Sequence, residues 1–275
     1  KRESLNMYTT NYYYWDFSPF IFYSEIFQFR YYSLLFALGL LFVFINVSKL
    51  FSERKIKLES LLIKMVISTL IFSRIFHCLF YEFSYYSDNV LEILLPISLE
   101  EFSFKGYQGL SSHGGIFGFI FALFYFDNQT FTKKDKLRIL DYTFYYSLVL
   151  MALIRIGNFF NSEIVGIECE RFFCFVFPYY DLVPRYPAQL IEAFLYIIIF
   201  FIVRLIHKSN SIDRPGRLSL IIISYISVSR FFIEFIKVPN TVLNTGFLNV
   251  AQLLTLSMVL IALIIFSIFN TKLFK

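Results

Sequence analysis

About seven apolar stretches, each bounded by polar or basic residues, leave this chain few ways to fold: Tyr31–Leu50, Leu61–Tyr81, Gly114–Phe126, Tyr142–Ile154, Ala188–Val203, Leu218–Ile236 and Leu248–Phe269. A helix rises about 1.5 Å per residue, so roughly 20 mostly apolar residues cross the hydrocarbon of a bilayer. Apolar residues make up 57% of the chain, above the roughly 45–50% of a soluble domain. The expected fold is therefore an all-α polytopic membrane protein with about seven transmembrane helices. The third and fourth stretches are short as pure apolar runs, and they are expected to extend through their polar flanks, Leu110–Gly115 and Arg155–Asn161.

Orientation follows from the short connections. Basic residues gather in the first (Arg54, Lys55, Lys57), the third (Lys133, Lys134, Lys136, Arg138), the fifth (Lys208, Arg214, Arg217) and the tail (Lys272, Lys275). The second, Glu82–Gly109, is acidic with only Lys105, and the sixth has little beyond Lys237. Cytoplasmic loops carry the excess of Lys and Arg, so the N-terminus is expected outside and the C-terminus in the cytoplasm. The net charge of +5 is explained by this topology and does not imply a nucleic-acid partner. The segment before Arg30 lacks a cleavable apolar core with a small-residue cut site, and Met7 is an alternative start to Lys1.

No Pro/Gly/Ser-rich linker or fixed-period repeat interrupts the spans, so residues 1–275 read as a single membrane domain. The fourth connection, Ser162–Arg185, is long enough to make a small outward-facing cap over 162–187. It contains Cys169 and Cys174, which can pair outside the cytoplasm or stay free, and an aromatic stretch from Phe172 to Tyr180. Cys78, inside an apolar run, reads as a small core residue. The excess of Phe, Ile, Tyr, Lys and Asn fits an AT-rich genome, so single aromatic residues carry little functional weight.

Polar residues within the spans carry more. Arg155-Ile156-Gly157-Asn158-Phe159-Phe160-Asn161-Ser162-Glu163 crowds a cation, two carboxamides and an anion onto the end of an apolar run. A charge near the bilayer centre costs roughly 2.5–3.5 kcal/mol on insertion scales, so such groups pair with one another or line a functional cavity. Arg74 lies in the second span, Ser111-Ser112-His113-Gly114-Gly115 opens the third, Gln189 and Glu192 follow Pro187 in the fifth, and Arg230 and Glu234 stand at i, i+4 in the sixth. Together they favour a polar cavity in the outward half of the membrane. His77, His113 and His207 are too scattered for a metal site, no Gly-x-Ser-x-Gly is present, and no cofactor is implied.

The polar motifs resemble, in order, those of the bacterial prolipoprotein diacylglyceryl transferase family. The Arg155–Glu163 run followed by Gly166 is similar to Gly-Arg-x-Gly-Asn-Phe-x-Asn-x-Glu. Ser18-Pro19 resembles the family's Asp-Pro, Tyr31-Tyr32-Ser33 its Trp-Tyr-Gly, and Ser73-Arg74 its small-residue-Arg pair. Leu110–Gly115 resembles its His-Gly-Gly segment, Arg185-Tyr186-Pro187-Ala188-Gln189-Leu190-Ile191-Glu192 its Arg-His-Pro-Ser-Gln-Leu-Tyr-Glu, and Arg230–Phe235 its Arg-x-x-x-Glu-Phe.

The resemblance implies a multi-pass enzyme of the bacterial cell inner (cytoplasmic) membrane. Its partners would be phosphatidylglycerol and the signal peptide of a preprolipoprotein, whose lipobox cysteine thiol receives the diacylglyceryl group as glycerol 1-phosphate leaves. His113, Arg230, Tyr32 and Asn158 would be catalytic, with His113 the candidate base for the thiol and Arg230 a competing, electrostatic aid to its deprotonation. Arg155, Asn161, Glu163, Gly166, Arg74, Gln189, Glu234, Gly114 and Gly115 would hold phosphatidylglycerol, with Glu163 and Glu234 fixing the arginines.

The chain departs from the family where Ser33, Phe76, Ile154 and Ala251 replace common glycines and Tyr186 replaces a common histidine. The first four point to altered helix packing rather than lost chemistry. A small-solute transporter and a degenerate homologue that only binds lipid are the rival readings. Many transporters show repeated halves, which this sequence lacks.

Overall fold

The computed structural model describes residues 12–24, 28–80, 82–93, 97–98, 103–104, 111–127, 129–171, 173–207, 214–238, 252 and 256, without the side chains of residues 97, 98, 103, 104, 112 and 113. Its helices are α1 (Tyr31–Val47), α2 (Lys55–Phe80), α3 (Phe83–Asp88), α4 (Ser112–Tyr125), α5 (Lys133–Phe160), α6 (Ala188–His207) and α7 (Arg217–Ile233). Five helical stretches are long and apolar enough to cross a membrane: Tyr31–Leu50, Ser52–Phe80, Lys133–Phe160, Ala188–Ile206 and Arg217–Ile236. The apolar helix Gly114–Tyr125 is shorter. The expected last span, Leu248–Phe269, lies outside the described residues apart from Gln252 and Leu256.

Two helices outrun their apolar cores. The second span was expected from Leu61, yet α2 begins at Lys55, where Lys55 and Glu59 pair at i, i+4, 3.7 Å apart. The fourth was expected over Tyr142–Ile154, yet α5 begins at Lys133 and ends at Phe160, the latter close to the end expected for its polar flank. A reciprocal cap starts α5: Thr132 Oγ1 accepts from the Asp135 amide at 3.2 Å and Asp135 Oδ2 accepts from the Thr132 amide at 3.1 Å. Polar turns beyond the hydrocarbon are free to stay helical, which hydropathy alone does not register.

Short strands also depart from an all-α fold, and each lies in a connection. They are β1 (Tyr13–Tyr14), β2 (Phe20–Tyr23), β3 (Gln28–Arg30), β4 (Ile97–Ser98), β5 (Ser103–Phe104), β6 (Phe175–Val176) and β7 (Pro184–Arg185). The strands β2 and β3 form an antiparallel hairpin, as do β4 and β5. The cap is a sheet in the order β1-β6-β7, with β1 parallel to β6. Tyr13 and Tyr14 therefore belong to the cap sheet, and Cys169 and Cys174 are joined as a disulfide within the cap.

The chain divides into two compact units, Ser48–Ile139 and the remainder, Lys1–Val47 with Leu140–Lys275. In the first of these, α4 crosses α2 closely. A Cβ on Gly114 would lie 2.3 Å from the Phe72 carbonyl oxygen, so only glycine fits. Ser68 and Ser73 secure the crossing by donating to the carbonyls of Gly118 and Ser111 at 2.9 and 2.5 Å.

In the other unit, α5, α6 and α7 pack through Tyr145, Leu148, Ile199, Val203, Leu218 and Ile222. Buried Asp141 accepts from the amides of Gly216 and Ser219 at 2.6 and 2.8 Å, setting the start of α7 against α5. A second apolar layer, Ala152, Ala193 and Tyr196, lies further along these helices. A third, Phe159, Val165 and Phe177, packs beneath Trp15 of the cap. Polar residues sit between the last two layers along the sequence of α5 and α6.

Candidate functional site

The end of α5 carries the densest polar group. Helical spacing puts Arg155 and Asn158 on one face, and Arg155 Nη1 donates to Asn158 Oδ1 at 3.0 Å. Asn158 in turn donates through Nδ2 to Glu163 Oε2 at 3.1 Å, and Asn161 donates to the other carboxylate oxygen, also at 3.1 Å. Glu163 can face back on the helix because the chain reverses sharply: Ser162 and Ile164 hold φ of 55° and 57°. Such a conformation is uncommon outside glycine and costs about 1–3 kcal/mol per residue, a strain that collects at functional sites. The carboxamide of buried Gln189, one residue into α6, donates to the Glu163 carbonyl at 2.5 Å. The ring of Tyr32 on α1 packs directly over Gly157.

The reversal delivers residues 165–168 between two other segments. Gly166 donates to the Tyr186 carbonyl and Ile167 to the Ile236 carbonyl, each at 2.9 Å, while Val238 donates to the Val165 carbonyl at 3.2 Å. The ends of α5 and α7 and the start of α6 are thereby tied together. Gly166 is the pinch point, since a Cβ there would meet the Tyr186 carbonyl at 2.6 Å and the Ile236 carbonyl at 2.8 Å.

At the centre is Glu192, with none of its surface exposed. Its Oε2 lies 2.9 Å from Arg155 Nε and 3.0 Å from Lys237 Nζ, and its Oε1 lies 3.8 Å from Arg230 Nε. Tyr196, one turn on, donates its hydroxyl to Oε1 at 2.9 Å. Glu234 stands 3.7 Å from Lys237. Three cations thus gather on the carboxylate of Glu192, with Glu234 beside Lys237 and Glu163 joined to Arg155 through Asn158. Around the same turn Asn161 Oδ1, Ser162 Oγ and Gln189 Oε1 are buried without a hydrogen-bond partner. Buried polar atoms are nearly always satisfied, so three orphans together mark a place for a ligand that can donate.

The pairing expected between the arginines and Glu163 and Glu234 takes another form. Glu163 reaches Arg155 through Asn158, and the carboxylate beside both guanidiniums is Glu192. Glu192 and Lys237 had no role assigned from sequence. The i, i+3 spacing of Glu234 and Lys237 is the one local signal that pointed to the lysine.

Arg74, His113, Gly114 and Gly115 belong to the other unit. Arg74 is buried and donates to the Ile93 carbonyl at 3.3 Å and to the Tyr86 hydroxyl and Glu92 carbonyl at 3.0 Å, holding the segment after α2. Gly114 meets the backbone of α2, and Gly115 faces Ser73. His113 lies in the first turn of α4, with its side chain outside the described residues.

Comparison with known proteins gives this geometry its context. The family model for prolipoprotein diacylglyceryl transferase matches residues 19–268. The chain belongs to the prolipoprotein diacylglyceryl transferase family. It is similar to the phosphatidylglycerol–prolipoprotein diacylglyceryl transferase of Bacteroides fragilis, at 33% identity over 94% of this chain and 95% of that protein. It is also similar to the proteins of that name from Chloroherpeton thalassium, at 32% over 94% of each chain, and Buchnera aphidicola, at 31% over 86% of this chain and 90% of the other.

Two of the departures from the diacylglyceryl transferase pattern, Phe76 and Tyr186, have local explanations. Phe76 lies beside Gly114 and stacks on Phe117 with ring centroids 5.5 Å apart. Tyr186 serves the site through its backbone, which bonds to Gly166 and Ile167, while its ring lies 5.7 Å from that of Phe173.

Proposed function

We propose that this chain transfers the diacylglyceryl group of phosphatidylglycerol to the lipobox cysteine thiol of preprolipoproteins, the first step of bacterial lipoprotein maturation. The observation that carries the reading is the convergence of Arg155, Arg230 and Lys237 on buried Glu192, together with three buried polar atoms without partners at the turn after α5 and the start of α6, in a member of this family. A phosphodiester supplies an anion for the two arginines, and the hydroxyls of its glycerol headgroup supply donors for Asn161, Ser162 and Gln189.

In this reading the cysteine sulfur attacks the glycerol carbon that carries the phosphate. The C–S bond forms as the C–O bond to phosphate breaks, and glycerol 1-phosphate departs with the electron pair. Arg155 and Arg230 hold the phosphate while charge builds on it, a use that suits a permanently charged planar fork. Asn158 sets Arg155, Tyr32 orients the headgroup, Glu163 and Glu234 complete the charged frame, and Gly166 keeps that frame closed. His113 is proposed as the base for the thiol on the resemblance of its motif and the imidazole reference pKa of about 6.5, with Arg230 the electrostatic alternative. Arg74, Gly114 and Gly115 stay assigned to the phosphatidylglycerol path on sequence resemblance.

The family match spans both compact units, which supports one transferase domain over residues 1–275. We place seven spans in the bacterial inner membrane with the N-terminus and cap outside. The Cys169–Cys174 disulfide supports that side, because disulfides persist in oxidising compartments. Family membership gives no support to a transporter.

The test is purified protein in liposomes with phosphatidylglycerol and a synthetic lipobox peptide, following glycerol phosphate release and peptide mass, with a Cys→Ser peptide as control. A diacylglyceryl mass gain on the cysteine peptide alone is expected. Lipid binding without mass gain, in folded protein, would replace this reading with a degenerate, lipid-binding homologue.

A further inference from the structure

Glu192, whose surface is wholly buried, is held by three cations. They do not share its burial equally: the side chains of Lys237 and Arg155 are 7% and 12% exposed, whereas that of Arg230 is 35% exposed. The arrangement grades outward from a sealed anion to a cation at the edge. Glu192 also meets both arginines at Nε, the inner corner of the guanidinium. A fork held there leaves terminal nitrogens beyond the anchor; Arg155 gives Nη1 to Asn158, and the donors that remain on the two arginines can meet phosphate oxygens.

Lys237 and Tyr196 complete the anchor. Lys237 shares Oε2 with Arg155, and the Tyr196 hydroxyl donates to Oε1 on the Arg230 side. The backbone pairing of residues 236–238 with 165–167 fixes where Lys237 stands, so the carboxylate is restrained from two elements besides its own helix.

We infer that Glu192 is the positioning residue of this site, its carboxylate steadied by Lys237 and Tyr196 so that Arg155 and Arg230 converge on one phosphate group. The inference rests on the phosphodiester reading above. Glu192 touches neither substrate; it acts through the two arginines. A residue that only balanced charge would be replaceable by any change that kept the balance. A residue that positions would not, because misplacement by about 1 Å can cost on the order of 100-fold in rate.

Two variants separate these roles. Glu192→Gln combined with Lys237→Met removes one anion and one cation, so the net charge of the site is unchanged. Glu192→Asp keeps the charge and shortens its reach by one methylene. Each is compared with the unaltered protein for melting temperature in detergent, kcat, and KM for phosphatidylglycerol and for the lipobox peptide.

Both are expected to insert and melt near the parent temperature, with kcat lowered about 100-fold. KM for phosphatidylglycerol should rise while KM for the peptide stays put. Activity within threefold of the parent in either variant would overturn the inference and leave Glu192 as a charge balancer. Should the double variant fail to fold, Glu192→Asp decides alone. Absence of turnover in the parent would instead count against the transferase reading. Phosphatidylglycerol binding to the same proteins then tests Glu192, with weaker binding by the variants expected and equal binding overturning it.

Discussion

Asn158 is a single side chain asked to be donor and acceptor at once. Its carbonyl oxygen takes Arg155 and its amide nitrogen gives to Glu163, so the cation and the anion are joined through one carboxamide. Asn158→Ala removes both bonds; Asn158→Asp keeps the acceptor but sets a second carboxylate against Glu163. Both are expected to lower glycerol phosphate release at least about 100-fold in protein that still inserts, as is Arg230→Ala. Wild-type turnover in any of them would sink the assignment. The sequence pattern exposed Arg155, Asn158, Glu163, Gln189 and Arg230 because each stands out in an apolar run. It hid the role of Glu192, since the arginines have Glu163 and Glu234 nearer in sequence and only packing of α6 against α5 and α7 brings Glu192 between them. In the cap, the pair Asp181 and Arg185 titrates outside the membrane. Hydrogen bonds from Arg185, at 2.9 Å from Nε, hold the Asp181 carboxyl below the ordinary value of 3.8. The stability this adds is full above the unfolded carboxylate value and is lost as pH falls through the depressed folded one. Asp181→Asn should therefore lower the melting temperature at pH 7, and the gap to the parent should close in strongly acidic buffer. A gap that persists there would assign the loss to something other than the ion pair.

At the scale of elements, five long apolar helices and a cap over 162–187 were readable from hydropathy and loop length, but the polar starts of α2 and α5 and the strands of the cap were not. The polar first turns of α2 and α5 lie outside the apolar window, and β1 and β6 are too short for strand alternation to register. What joins the elements at the site is the pairing of residues 165–168 with 184–186 and 236–238, and Gly166 controls it. The atoms nearest an added Cβ there include two backbone carbonyl oxygens, which cannot swing away as a side-chain end would. Gly166→Ala must therefore part the segments. It is expected to cost about 1–3 kcal/mol, in line with overpacking elsewhere, and to shift Lys237 away from Glu192. Melting in detergent should drop by several degrees, and transfer should fall more than the loss of folded protein accounts for. A variant that melts lower yet transfers at the parent rate per folded molecule would separate the pinch from the chemistry.

For the whole molecule, the outstanding physical question is which side of the bilayer the cap faces, because the proposed thiol acceptor must arrive from that side. Charge counts and redox chemistry bear on it independently. The basic clusters at Arg54–Lys57 and Lys133–Arg138 argue that those connections are cytoplasmic. The disulfide in a loop between α5 and α6 argues that this connection is not. Both arguments yield the same topology, and neither uses the family. Single-cysteine labelling checks it in intact cells. With Cys78 replaced and the Cys169–Cys174 disulfide intact, a cysteine placed at Leu182, an exposed residue of the cap, should react with a membrane-impermeant maleimide without permeabilisation. A cysteine placed at Lys134, with the native cysteines replaced, should react only after the membrane is opened. The reverse pattern would invert the molecule and place the charged frame of Arg155, Glu192 and Arg230 toward the cytoplasm. There the Cys169–Cys174 bond would meet reducing conditions, and a site built at the ends of α5 and α7 would open to the wrong compartment for an exported cysteine.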